Sequence, residues 1–229
     1  MHAPRLLAAL TIALGAVPAV AQGWAWSGEA TLGSDLTERG ISPWPGRPVA
    51  QGLLGTTDGV AWSLSLSATA PLERTEGAAA LWVLRGGHYW ALNNDWQLRA
   101  GLASYTYPEG DWRGYDRSEL TLGGSWRDLV SLEVSAVRLN EGDQRPTWAA
   151  DLGLRWPLGG GFSAAAGLGR AELIAWPRWC YTYADAGLLW QQGPWRASLR
   201  ALMIEGRRVR SLMGDSAEPH ASASLGYTF

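Results

Sequence analysis

The chain has 229 residues, with 15 tryptophans and 29 glycines but 2 phenylalanines, and its formal net charge is −2. This charge excludes the basic field with which proteins attract nucleic acid. Cys180 is the single cysteine, which excludes an intrachain disulfide and a cysteine metal cluster. Tryptophan favours the boundary between lipid and water, because its ring is apolar while its N–H group stays hydrated. The composition therefore indicates contact with a membrane.

The first 21 residues show the order of zones found in a secretory signal peptide. Arg5 supplies a positive charge, residues 6–17 are apolar, and residues 19–21 read Ala-Val-Ala, a small-residue cleavage site. A membrane-anchoring helix is the alternative, but the apolar stretch is shorter than the roughly 20 residues that a span needs. We predict a signal peptide over 1–21 and an exported barrel domain over 22–229.

From residue 24 onward, apolar and polar side chains alternate. In "VAWSLSLSAT", Trp62 and Leu64 fall on one side, and Ser63 and Ser65 fall on the other. A period of two predicts β-strands, because successive side chains of a strand point to opposite faces. Most segments have about the 9–11 residues that a tilted strand needs to cross a bilayer. The predicted strands are 24–36, 48–57, 60–70, 78–91, 95–106, 115–126, 129–139, 147–156, 161–171, 180–190, 195–204 and 219–229.

The connections between these strands alternate in length. Short turns are predicted at 58–59, 93–94, 127–128, 157–160 and 191–194, and longer links at 37–47, 71–77, 107–114, 140–146, 172–179 and 205–218. Outer-membrane barrels have short periplasmic turns and longer extracellular loops, and an even strand number leaves both termini on the periplasmic side. The sequence therefore predicts an all-β fold, a transmembrane antiparallel up-and-down β-barrel of about 12 strands in the bacterial outer membrane.

Aromatic residues mark the strand ends on one side of the predicted barrel. If the first strand runs outward, most tryptophans fall at the periplasmic ends with lipid-facing parity, as in an aromatic girdle. A soluble β-sandwich, the alternative fold, gives no reason for this clustering. The chain also ends in an aromatic strand, "ASASLGYTF", similar to the terminal signature that the bacterial barrel-assembly machinery reads. We predict membrane-interface positions at Trp26, Trp62, Trp96, Trp126, Trp156, Trp190, Trp195, Tyr227 and Phe229.

Charged side chains have the opposite parity and are predicted to face the lumen. An Arg or Lys on the lipid face at the bilayer midplane would cost about 2–4 kcal/mol. Twelve tilted strands give a backbone radius of about 13 Å, which allows either a narrow water-filled pore or a lumen closed by Arg–carboxylate pairs such as Asp185 and Arg200. The predicted lumen-lining residues are Glu29, Asp35, Arg39, Arg99, Arg117, Glu119, Glu133, Asp151, Arg155, Asp185, Arg196 and Arg200.

The stretch "SDLTERGISPWPGRPVAQG", residues 34–52, resembles the S-D-x-x-x-R-G-I-S…P-x-x-Q-G signature of the TorF-type porin family of proteobacterial outer membranes. A second match is "YTYPEG" at 105–110, like the Tyr-x-Tyr-Pro-Gly element of that family. Leu36, where the family usually has Tyr, and Glu38, where it usually has an aromatic residue, depart from the pattern. The resemblance covers residues 24–140 and implies a barrel with a transport role, without catalytic residues. The matching positions are Ser34, Asp35, Arg39, Gly40, Ile41, Ser42, Pro48, Gln51 and Gly52.

Motifs for chemistry are weak. "GDS" at 214–216 is similar to a lipase nucleophile motif, but such a serine needs a structured turn and a histidine partner. His88 and His220 lack the spaced partners of a metal site or a catalytic triad. We expect no cofactor, no metal and no enzymatic activity.

The sequence favours a porin for passive diffusion of small solutes, surrounded by outer-membrane lipid. Two alternatives stay open. One is an outer-membrane enzyme with a phospholipase- or protease-like barrel. The other is a surface receptor or adhesion barrel, presenting loop tryptophans at Trp44, Trp112, Trp176 and Trp179.

Overall fold

Twelve antiparallel strands close into a barrel in a computed structural model that describes residues 23–73, 80–108, 114–142, 144–174 and 179–229. Each strand pairs with its neighbours in sequence, and the last strand pairs with the first. The predicted fold class is therefore confirmed, whereas the predicted signal peptide lies outside the described residues. The strands are β1 (Ala25–Gly33), β2 (Val49–Thr57), β3 (Trp62–Pro71), β4 (Leu81–Ala91), β5 (Trp96–Thr106), β6 (Arg117–Trp126), β7 (Val130–Leu139), β8 (Thr147–Gly159), β9 (Phe162–Glu172), β10 (Cys180–Gln192), β11 (Trp195–Glu205) and β12 (His220–Thr228).

The seam between β1 and β12 includes the last residue of the chain. The N–H group of Phe229 donates to the carbonyl of Gly28 at 2.9 Å, and the N–H group of Gly28 donates to the carbonyl of Phe229 at 2.8 Å. The Phe229 ring lies against Gly28 where a side chain would otherwise stand. Because an open sheet edge in lipid leaves backbone N–H and C=O groups without partners, this pairing is what a closed barrel needs.

Two predicted turns are shifted along the chain. β8 continues to Gly159, so its hairpin turn lies at 160–161 rather than at 157–160. β10 continues to Gln192, so its turn lies at 193–194. The register of β8 shifts between Pro157 and Gly159, because proline has no N–H group for the ladder and is tolerated at a bulge. The predicted alternation of short turns and long links agrees with the structure.

The outward side chains are mainly leucine in mid-strand and tryptophan at the end that carries both termini. Leu102, Leu122 and Leu199 are each more than half exposed. At the tryptophan-rich end, His88 packs between Trp62 and Trp90, with ring centroids 4.4 and 4.3 Å apart. The outer surface is thus apolar around its middle. Trp26, Trp62, Trp90, Trp96, Trp156, Trp195, Tyr227 and Phe229 are exposed, and Trp126 and Trp190 are half-buried.

The link between β11 and β12 contains a short helix, α1 (Arg207–Met213), followed by a 3₁₀ turn at Gly214–Ala217. The alternation of the strands did not predict this helix. The helix buries Val209, and the 3₁₀ turn buries Ala217, in an apolar cluster with Tyr181 and Ile204. Within the part of the chain that the structure describes, no helix is long and apolar enough to cross a lipid bilayer.

The link between β1 and β2 folds into the same end of the barrel. Trp44 is 2% exposed and packs in a second apolar cluster with Val49, Leu81, Val83, Tyr105 and Tyr107. The N–H group of Ser42 donates to the carbonyl of Ser216 at 2.9 Å, which joins this link to the segment after α1. Two of the long links therefore pack into the end of the barrel opposite the termini.

Candidate functional site inside the barrel

A tight reverse turn in the β1–β2 link directs Arg39 into the barrel. The backbones of Glu38 and Ile41 pair in both directions, at 2.9 and 3.0 Å. Arg39 and Gly40 between them have φ values of 48° and 81°, and a turn with two positive φ values favours glycine at one of them. A side chain at Gly40 would also meet Ile204 and Tyr183. Gly40 therefore lets the turn lie close to the barrel wall.

Five charged side chains form what we call the ion-pair layer: Glu38, Arg39, Arg117, Glu119 and Asp151. Arg39 donates to both carboxylate oxygens of Glu119, at 3.1 and 3.0 Å, and its Nε lies 3.6 Å from Asp151. Arg117 lies 3.1 Å from Glu119 and 2.5 Å from Glu38. Glu119 is on β6 and Asp151 is on β8, so Arg39 connects the β1–β2 link to strands on the far side of the barrel from β1 and β2.

The centre of this layer is buried. The side chain of Glu119 is 4% exposed and that of Arg117 is 8% exposed. The Arg117 guanidinium also lies 3.7 Å from the centre of the Tyr105 ring. Buried charges are tolerated when each has an opposite charge and its hydrogen bonds, and Glu119 has both arginines. Glu119 is therefore the acceptor that holds the layer together.

Two polar contacts inside the barrel join residues on strands that are not neighbours. Each contact passes over a glycine on the strand between them. Arg99 on β5 and Glu133 on β7 form an ion pair, and both are in register with Gly123 on β6. Tyr183 on β10 donates to Asp151 on β8, and both are in register with Gly169 on β9. A missing side chain on the middle strand leaves room for a bridge across it.

We expect Gly169→Ala to lower the free energy of unfolding by about 1–3 kcal/mol, as for other overpacked sites. The Tyr183 ring lies directly over Gly169, so an added methyl group would displace the ring and its bond to Asp151. Urea unfolding of the barrel in lipid vesicles measures this change. Gly55→Ala is the matched control, because a Cβ there would have its nearest neighbours at 3.7 Å. Equal stabilities of the two variants would contradict the role given to Gly169.

Asp35 anchors the start of the β1–β2 link rather than pairing with Arg39. Its carboxylate accepts from the Ser42 hydroxyl at 2.5 Å and lies 3.4 Å from Nε2 of His220. Nδ1 of His220 lies 2.8 Å from the Glu218 carbonyl. Because a carbonyl can only accept, Nδ1 of His220 donates to Glu218, and Nε2 lies 3.1 Å from the Thr37 hydroxyl.

The other residues predicted to face the lumen form ion pairs nearer the termini. Arg196 lies 2.6 Å from Glu29, and Arg200 lies 3.1 Å from Asp185, the pair anticipated from the sequence. Among the described residues, Arg155 has no carboxylate partner. The lumen-facing residues predicted from the sequence did not include Glu38, Tyr183 and Arg85, whose side chains lie inside the barrel. Glu38 looked like a departure from a family motif, and Arg85 lies on the weakly alternating strand β4.

The described residues enclose several cavities inside the barrel, and three of them bear on the site. An outer cavity of about 410 Å³ lies among the loops, and two inner cavities of about 400 and 310 Å³ lie nearer the termini. Arg39, Arg85 and Tyr105 line both the outer cavity and the smaller inner cavity. Asp151, which pairs with Arg39, lines the larger inner cavity. The ion-pair layer therefore lies where the cavities approach one another.

No protein-family model matches this chain, and no curated protein matches it in sequence. Among solved structures, the chain is similar to the KdgM porin, with 8% identity, a TM-score of 0.59 and coverage of 89% of this chain and 99% of the porin. A KdgM porin in complex with disordered oligogalacturonate gives 8% identity, a TM-score of 0.57 and coverage of 90% and 99%. The NanC porin gives 11% identity, a TM-score of 0.52 and coverage of 90% and 99%. With this fold and its apolar outer surface, the chain is a β-barrel of the bacterial outer membrane.

Proposed function

We propose that the chain is an outer-membrane channel for passive diffusion of small solutes, narrowed by its own β1–β2 link. The observation that carries this proposal is the series of three cavities inside the barrel, which approach one another at the ion-pair layer. Arg39 is the side chain that crosses the interior at this point. Solutes would pass from the outer cavity to the inner ones beside its guanidinium.

The inner cavities have the polar walls expected of a water-filled path. Ser63, Ser65 and Thr121 line the smaller one, together with the Arg99–Glu133 pair. Acidic side chains in the interior are matched by arginines, so fixed charge is nearly balanced along the path. We therefore propose selection by size at the ion-pair layer. We also propose that the residues predicted from the alternation to face the lumen line this path.

The likeness to porin structures supports a channel through its fold. The resemblance of residues 34–52 to the TorF-type family supports the same role, and the chain is proposed to be a relative of that family. The paired terminal residue Phe229 supports recognition of β12 by the barrel-assembly machinery. The exposed aromatic residues at the strand ends are proposed to lie at the lipid–water boundary.

The alternatives have less support from the site. The His220 ring contacts Thr37 and Asp35 rather than a nucleophilic serine or cysteine, and Ser216 lies in the 3₁₀ turn after α1. We therefore propose a barrel without enzymatic activity. Of the four loop tryptophans considered for an adhesion surface, Trp44 is buried and Trp179 packs against the cluster that contains Val209. Trp112 and Trp176 lie outside the described residues.

Liposome swelling with sugars of increasing size tests this proposal. Vesicles that contain the purified barrel should swell rapidly in arabinose and much more slowly in the trisaccharide raffinose, because the ion-pair layer narrows the path. Protein-free vesicles of the same lipid give the baseline. Swelling at the baseline rate in every sugar, from a barrel shown to be folded, would rule out passive diffusion of such solutes.

A further inference from the structure

The outer cavity has a more apolar wall than the two inner cavities. Leu81, Val83 and Val137 line it from β4 and β7, and Leu36 and Ile41 line it from the β1–β2 link. The inner cavity that shares Arg39 with it is lined instead by serines, glycines and charged side chains. Apolar walls gain free energy when an apolar surface, rather than water, lies against them. The outer cavity is therefore suited to a ligand with an apolar body.

Aromatic side chains complete this wall. Tyr105, Tyr107, Tyr115 and Tyr181 all line the outer cavity. Burial, with a smaller contribution from the Glu38 carboxylate, raises the pKa of Tyr107 to about 12, so its hydroxyl stays neutral at physiological pH. A volume of about 410 Å³ falls within the range of roughly 300–1,000 Å³ found for small-molecule sites. The tyrosine rings favour a flat, ring-bearing ligand.

One charge in this wall has no carboxylate partner. Glu38, Arg39 and Arg117 line the cavity but already take part in the ion-pair layer, and Glu172 lines it from the end of β9. Arg85 contacts the Tyr105 hydroxyl at 3.4 Å and lies 5.4 Å from the centre of the Tyr105 ring. Across the described residues, no carboxylate pairs with Arg85. Its guanidinium is exposed to the lumen where the outer cavity meets the smaller inner one.

We propose that the outer cavity binds a small organic carboxylate with an aromatic or other ring-shaped apolar body, and that Arg85 binds its carboxylate. A guanidinium can hold a carboxylate through two parallel hydrogen bonds, while the ring packs against Val83, Val137 and the tyrosines. A sugar acid could bond to Gln51, Ser67 and Thr69 on one part of the wall. Its remaining hydroxyl groups would lie against Leu81, Val83 and Val137, which offer no hydrogen bonds. The inference deepens the proposed function by naming a solute class for the channel.

Calorimetric titration of the folded barrel in lipid nanodiscs with trans-cinnamate tests the site without requiring conduction. Cinnamyl alcohol keeps the ring but lacks the charge, and galacturonate keeps the charge but is covered by hydroxyls. We expect cinnamate to bind more tightly than either. Arg85→Gln should weaken cinnamate binding at least about tenfold, which corresponds to about 1.4 kcal/mol. Arg155→Gln is the matched control and should leave the affinity unchanged, because Arg155 lines the other inner cavity.

The outcomes separate the parts of the inference. Equal affinity for cinnamyl alcohol, or an unchanged affinity in a folded Arg85→Gln variant, would overturn the role of Arg85. Equal affinity for galacturonate and cinnamate would overturn the claim that the cavity requires a ligand with an apolar body. If Arg85→Gln fails to fold, Val83→Thr provides a second test. It keeps the side-chain shape but replaces a methyl group by a hydroxyl, and it should weaken cinnamate binding. A barrel that conducts but does not bind cinnamate would refute this site alone, whereas one that binds cinnamate without conducting would refute the channel.

Discussion

Arg39→Ala is expected to raise the single-channel conductance of the barrel several-fold. Arg39 is the residue that connects the β1–β2 link to Glu119 on β6 and Asp151 on β8 across the interior. Alanine would remove both contacts and the volume of the side chain from the path, while Glu38 on the same turn would stay paired with Arg117. Current steps in a planar lipid bilayer measure the change directly.

Arg127→Ala is the matched control for this variant. Arg127 also has a positive φ, of 50°, and pairs with Asp95 at 2.8 Å. Arg127 lies, however, on the short turn between β6 and β7, at the end of the barrel that carries the termini. The conductance of the Arg127→Ala barrel should therefore equal that of the unaltered barrel. A folded Arg39→Ala barrel with unchanged conductance would contradict the role of Arg39 as the constriction.

Glu119→Ala is expected to destabilise the barrel by about 3–5 kcal/mol, the cost of removing one partner from a buried ion pair. The substitution would leave Arg39 and Arg117 facing each other without the carboxylate that accepts from both. Tryptophan fluorescence during urea unfolding in lipid vesicles measures the loss.

Glu133→Ala provides the comparison, because it removes one carboxylate from a more exposed pair. The Arg99 and Glu133 side chains are 44% and 27% exposed, and such pairs contribute about 0–1 kcal/mol. Similar losses for Glu119→Ala and Glu133→Ala would show that burial of the layer does not govern its energetics.

The strands were predictable because lipid imposes alternation on every segment that crosses it. β4 shows where this signal weakens. Leu81 and Val83 face inward and are nevertheless apolar, because Trp44 and Tyr107 from the links pack against them. The prediction of strands from alternating residues assumes that inward side chains are polar. It fails where a loop packs against the inner face of a strand, because the inward side chains there are apolar. The helix at 207–213 was missed for a related reason, since its burial depends on the β1–β2 link and on β10 and β11.

The partners within the site were not predictable from the sequence. Arg39 and Glu119 are 80 residues apart, and their contact depends on how the β1–β2 link folds inward. The alternation of side chains placed both residues on the lumen side. It gave no position along the barrel axis for Arg39, because Arg39 lies in a loop. The two contacts that pass over a glycine, Arg99–Glu133 and Tyr183–Asp151, have a clearer signal in the sequence. Gly123 and Gly169 have lumen-facing parity in mid-strand, where a pore would otherwise show a polar side chain, and each is in register with charged or polar neighbours on both sides.

Single-channel recording of the unaltered barrel in a planar bilayer tests most directly whether a continuous water path crosses it. We predict small, discrete current steps that scale with voltage, because the ion-pair layer narrows the path through the cavities without sealing it. Stable insertion of the folded barrel without current steps at any voltage would contradict a channel.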